Sequence, residues 1–141
     1  MGLDTDYGYV AGGESKSNII ERFANASSAN SADVGDITVG RANAAGCSSA
    51  THGFTAGGDA EETVPNVIDK YAFASSGNSV DWGDISGNRS GSAGASDEDY
   101  GYIAGGTQSD SYVNIIERFP FASSSGTSDV GDLTGNIVWG S

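Results

Sequence analysis

The sequence predicts an all-β chain built from three copies of one four-stranded unit. Motifs recur at a fixed spacing, apolar residues fall in short regular runs, and turn-forming residues separate those runs. Asn18-Ile19-Ile20-Glu21-Arg22-Phe23 returns as Asn66-Val67-Ile68-Asp69-Lys70-Tyr71 and as Asn114-Ile115-Ile116-Glu117-Arg118-Phe119, both offsets being 48. Asp33-Val34-Gly35-Asp36-Ile37 returns as Asp81-Trp82-Gly83-Asp84-Ile85 and Asp129-Val130-Gly131-Asp132-Leu133, again at 48. Ala11-Gly12-Gly13 returns as Ala56-Gly57-Gly58 and Ala104-Gly105-Gly106, at offsets of 45 and 48, because the first copy has a loop three residues shorter.

The elements of a unit follow in order. Strand A is small and polar, Arg41 to Ser48 or Arg89 to Ser96. Strand B is Tyr9 to Ala11, Phe54 to Ala56 or Tyr102 to Ala104, each ending in a Gly-Gly pair. Strand C runs about eight residues from Ile19, Val67 or Ile115, and strand D surrounds Val34, Trp82 or Val130. Turns rich in Gly, Ser, Asn and Asp join them, which makes each unit an antiparallel meander. Small residues on strand A suit an innermost position, where neighbouring units crowd around an axis. Gly12-Gly13, Gly57-Gly58 and Gly105-Gly106 suit close backbone approach or positive φ. The expected architecture is a single repeat domain over residues 1–141, with units of approximately 1–45, 46–93 and 94–141, arranged as three four-stranded blades of a β-propeller. A monomeric β-trefoil or β-prism is the rival, because both hold three similar four-stranded units. They fit the Gly-Gly and Arg positions less well, and the sequence has no Gln-x-Trp pattern.

Arg89, Tyr102, Gly105-Gly106, Phe119 and, one unit earlier, Trp82 fall where the kelch repeat has its arginine, aromatic strand, glycine pair, second aromatic and tryptophan. The chain therefore resembles kelch repeats along essentially its whole length. With its Ile-Glu-Arg-Phe, Phe-Ala-Ser-Ser and Val-Gly-Asp-Leu runs, it most resembles the kelch-like repeat proteins encoded by phages of cyanobacteria. It departs from the pattern in having Val at two of three Trp positions and a longer C–D connection. The resemblance implies a propeller, and a virion or host-cytoplasm setting, but no particular ligand.

Aligned on the repeat, Met1 falls on Gly46 and Ser141 on Ala93, so the chain starts one position after the place where it stops. That places the break inside strand A and suggests a closed ring, with Ile137 to Ser141 beginning a strand A beside an N-terminal strand B. Propellers use about 4–8 blades. The expectation is a two-fold homodimer of three-bladed halves forming one six-bladed ring.

Bulk properties narrow the function. The formal net charge of −13 opposes nucleic acid and anionic membrane as partners. No apolar run reaches the length of a membrane span, and Met1-Gly2-Leu3-Asp4 lacks the features of a signal peptide. The single cysteine, Cys47, excludes an internal disulfide.

The basic residues are mostly repeat positions: Arg22, Lys70 and Arg118 are equivalent, as are Arg41 and Arg89. Glu21, Asp69 and Glu117 each precede a base, and alternation along a strand sends the two to opposite faces. The acid of one unit is thus expected to meet that base of the next as a structural ion pair. Asp4 to Gly8 and Asp97 to Gly101 loosely resemble a calcium loop, yet lack the remaining ligands, and read as solvated turns. Cys47 and His52 are each single and sit on one strand and turn. With Cys47 aligned to Ala95 and Gly2, they read as a buried small residue and an exposed turn imidazole rather than a nucleophilic pair, which needs hydrogen-bond contact and an orienting third group. No phosphate loop, metal-ligand spacing or catalytic histidine cluster is present. No cofactor is expected. Trp139 reads as a plug of the channel or ring junction, or as a sugar-stacking ring.

Variable loops on a fixed frame carry recognition. The B–C loops vary most and share a rim with the D–A loops, so Glu14, Lys16, Asp59, Glu61, Glu62, Asp110 and Tyr112 are the candidate binding residues. The expected function is a non-catalytic scaffold for protein or virion-surface interaction through that rim. A carbohydrate-binding, lectin-like module is the alternative.

Overall fold

The computed structural model describes residues 6–63 and 65–135. In chain order the strands are β1 Tyr7–Ala11, β2 Ile19–Ala24, β3 Ala32–Asp36, β4 Ala45–Ser48, β5 His52–Ala56, β6 Val67–Ala72 and β7 Val80–Asp84. They continue with β8 Arg89–Ser90, β9 Ala93–Ser96, β10 Tyr100–Ala104, β11 Thr107–Gln108, β12 Ser111–Tyr112, β13 Ile115–Pro120 and β14 Ser128–Asp132. Among the described residues the one helical turn is a 3-10 turn at Glu14–Lys16, and no helix is long and apolar enough to cross a membrane.

The chain is all-β and its strands form antiparallel meanders. Sheet 1 is β1-β2-β3, sheet 2 is β4-β5-β6-β7, and sheet 3 is β9-β10-β13-β14. Register repeats with the sequence: Tyr9↔Arg22, Phe54↔Lys70 and Tyr102↔Arg118 are equivalent pairs. A bulge follows Ile20, Ile68 and Ile116, leaving Val34, Trp82 and Val130 as the extra residue opposite.

Alternation gives each strand two faces, and sheet 2 is covered on both. Toward sheet 1 it buries Tyr71, packed with Ile20 and Ile37 and flanked by Tyr9, Ala11, Val34 and Phe73. Toward sheet 3 it buries Phe54, Ala56 and Ile68, packed with Ile85, Ile103 and Phe119 and flanked by Trp82 and Phe121. The two interfaces are copies of each other. Tyr9 stacks on Phe73 with centroids 4.6 Å apart, and Phe54 stacks on Phe121 at 4.9 Å. Hydrogen bonds cross between sheets as well: Gly77 N–H donates to Val34 O at 2.7 Å and Ser79 N–H to Asp36 O at 2.8 Å.

The outer faces carry the same residue types, without cover among the described residues. On sheet 1, Val10 is 52% exposed and Phe23 39%, whereas the equivalents of Phe23, Tyr71 and Phe119, are 8% and 1%. On sheet 3, Ile116 and Leu133 are half-buried, while Ile68 and Ile85 are buried.

Three expectations need correction. Strand A does not run from Arg41 to Ser48. The backbone kinks at Asn43 (φ 56°) and Gly91 (φ 68°), so pairing starts at Ala45 and Ala93 and the arginines leave the strand line. Strand C has six residues, Ile19–Ala24, Val67–Ala72 and Ile115–Pro120, because Asn25, Phe73 and Phe121 turn into the C–D connection. The third B–C segment is no open loop: Thr107–Gln108 and Ser111–Tyr112 form a hairpin that adds to Arg89–Ser90 of the preceding connection. Asp4, Trp139 and the strand expected from Ile137 to Ser141 lie outside the described residues.

Candidate functional site

The kinks that displace Arg41 and Arg89 build a clamp between sheets. Gly13 N–H donates to Arg41 O and Gly58 N–H to Arg89 O, each at 2.9 Å. At Gly12 (φ 75°) and Gly57 (φ 63°) an added Cβ would collide with those same carbonyl oxygens, so the paired glycines are where the backbone of the next connection is gripped. The arginine side chain then reaches forward. Arg41 Nη2 meets Asp69 Oδ2 at 2.5 Å, and Arg89 Nη2 pairs with Glu117 Oε2. All four side chains are essentially solvent-free. Burial pushes both guanidinium groups downward from their ordinary value, and for Arg41 the neighbouring Asp69 acts against that shift.

The acids are further satisfied. Ser79 Oγ and Thr38 Oγ1 donate to Asp69, each at 3.1 Å; Thr127 Oγ1 donates to Glu117, as does Ser86 N–H at 2.8 Å. The acids thus meet a base of the preceding unit, but it is Arg41 or Arg89, not the Arg22/Lys70/Arg118 position expected above. Those three lie over rings instead: Arg22 over Tyr7 at 4.4 Å, Lys70 over Trp82 at 3.6 Å and Arg118 over Tyr100 at 4.2 Å. Both clamps join one sheet to the next.

Five of the seven candidate binding residues fall in two clefts at the end of the sheets where B–C and D–A connections meet. Lys16, Glu61 and Glu62 line one of about 520 Å³ with Val39 and Gly40. Asp59 and Asp110 line one of about 330 Å³ with Asn88, Ser90, Thr107 and Ser109. Asp59 also accepts from Asn43 Nδ2 at 3.1 Å. Glu14 stands exposed in its 3-10 turn, and Tyr112 is 64% exposed on the β12 hairpin; neither lines these two clefts.

Sequence reasoning missed the opposite rim. A cleft of about 640 Å³ there joins His52, Lys70, Glu98, Asp99, Tyr100 and Phe121 from separate turns and strands. Partial burial, then the charge of Lys70, lowers the imidazole of His52 from its ordinary value, which favours the neutral ring. Thr51 Oγ1 lies 2.7 Å from His52 Nδ1. The signal available was the recurrence of a base and an aromatic at Lys70 and Tyr100, but adjacency across sheets is not written in either motif.

The acidic turn before β10 is a structural device. Asp97 accepts from the Tyr102 hydroxyl at 2.7 Å and from the N–H groups of Asp99 at 2.8 Å and Tyr100 at 2.7 Å. These bonds, that of Tyr102 foremost, lower its carboxyl below the ordinary value. Among the described residues no group of three or more His, Cys, Asp or Glu converges to hold a metal.

Cys47 borders an inner cleft of about 480 Å³ between β1, β4 and β9, and its thiol points to Tyr102 O at 3.5 Å. Burial raises the thiol from 9.0 to about 11 and the Tyr71 hydroxyl to about 12. Each fold-favoured form is neutral. Its contribution is therefore complete below the unfolded-state value and is lost as pH climbs through the folded one. Stability is expected to fall between about pH 9 and 12 in alkaline denaturation. At pH 8 the native thiol should react with a disulfide reagent roughly 100-fold more slowly than the unfolded chain, on thiolate fraction alone.

No family model matches the chain, and no curated protein is significantly similar to it.

Proposed function

We propose that the chain is a non-catalytic binding module of kelch-like β-propeller type, each meander a blade, and that two copies close a six-bladed ring. The ring offers its B–C and D–A rim to a protein or virion surface. The observation that carries this reading is the pair of open faces. The uncovered face of sheet 1 matches the face that sheets 2 and 3 bury toward their predecessors, and that of sheet 3 matches the face that sheets 1 and 2 bury toward their successors. A second copy completes both with an interface the chain already makes twice. A sheet covered on both faces also favours stacked blades over a β-prism, whose sheets each turn one face to water.

Light scattering coupled to size exclusion tests the assembly. The expected mass is twice that of the chain. Val10→Glu, placed on the open face where Ile103 is buried in sheet 3, is expected to yield a folded monomer. A wild-type monomer at micromolar concentration at every pH from 4.5 to 8 overturns the ring.

The cleft of His52, Tyr100, Glu98 and Asp99 favours a second reading, glycan binding, because it joins an aromatic ring to hydrogen-bonding carboxylates. A broad glycan array read against Tyr100→Ala tests it, and silence across the array removes it.

A further inference from the structure

One copy of the clamp lacks its base. Glu21 occupies the position of Asp69 and Glu117, and Ser31 Oγ donates to it at 2.7 Å as Ser79 does to Asp69 and Thr127 to Glu117. Asp69 and Glu117 each hold a buried guanidinium; Glu21 lies on the open face of sheet 1 with no ion pair among the described residues. Asp33 sits opposite it across the strands. In the completed interface the equivalent Asp81 also feels the charge of Arg41, so one arginine serves two carboxylates.

Repetition supplies no such arginine to Glu21. The chain has six Lys and Arg. Arg41 and Arg89 are in clamps, Arg22, Lys70 and Arg118 lie over rings, and Lys16 lines a rim cleft. The residue 48 positions after Arg89 is Ile137.

We propose that the seam between copies is proton-gated: closing it buries Glu21 beside Asp33 without a guanidinium, so association takes up protons and tightens in acid. This rests on the ring reading above. The facing sheet would offer Thr134, the counterpart of the donors Thr38 and Ser86, as well as Asp132 at the end of β14, and Arg118 already committed to Tyr100. An uncompensated buried carboxylate is costly, and protonation removes most of that cost. With one Glu21 in each of two seams, the dissociation constant is expected to fall by up to about 100-fold per pH unit on acidification through the carboxylate range.

Sedimentation equilibrium of the full chain from pH 4.5 to 8 decides it. Measurement in 0.5 M salt, where the screening length is roughly 4 Å, suppresses general repulsion between acidic chains. The wild type should dimerise more tightly as pH falls, whereas Glu21→Gln should dimerise at pH 8 and lose most of the slope. A wild-type dimer whose affinity does not change with pH, or a Glu21→Gln slope equal to that of the wild type, overturns the proton gate and leaves the ring standing. Absence of a dimer in both proteins at every pH overturns the ring itself.

Discussion

Arg89→Leu is expected to remove about 3–5 kcal/mol of unfolding free energy, a large fraction of the roughly 5–15 kcal/mol that a domain possesses. The loss comes from what remains behind. Glu117 is 1% exposed and keeps Thr127 and the Ser86 N–H, but no cation. Leucine fills the arginine stem volume without answering that charge. Urea unfolding at pH 7 measures the loss. The double variant Arg89→Leu, Glu117→Leu should recover most of the stability, because an apolar pair needs no compensation. A single variant as stable as the wild type would show that the pair contributes nothing.

Gly57→Val is expected to cost roughly 3 kcal/mol or more in the same assay. At φ 63° a β-branched residue is strained by about 1–3 kcal/mol. Its Cβ would also collide with Arg89 O, which accepts the Gly58 N–H, so the grip on the connection is lost with about 1–3 kcal/mol of unpaired backbone. Gly77→Ala is the control. Its Cβ would meet nothing within 4 Å, and its effect should be at most about 0.5–1 kcal/mol.

The unit and its strands are legible in the sequence because they depend on local pattern. Alternation along Ile19–Ala24 or Val67–Ala72 and the glycine pairs after strand B are each confined to a few residues. The partners of the acids are not legible this way. Arg41 and Asp69 are 28 residues apart, as are Arg89 and Glu117, and this constant interval exists in the sequence. Choosing Arg41 over Arg22 requires the kink at Asn43, and the tolerance of asparagine for positive φ does not by itself mark this one among the chain's other asparagines. The β11–β12 hairpin was missed for a related reason: two-residue strands are too short to show a period. The Lys16, Glu61 and Glu62 cleft was reachable, because loop variability points to the end of the frame where connections gather. The His52, Lys70 and Tyr100 cleft draws on turns of different sheets, whose juxtaposition is a product of stacking.

The fixed interval between each bridging arginine and its acid has a genetic consequence. Unequal crossing-over between equivalent codons of the second and third copies inserts or deletes one whole period, and every bridging arginine still finds a carboxylate 28 residues downstream. Alleles of different length would then share one junction chemistry, and the gene could change its copy number without passing through a misfolded ancestor.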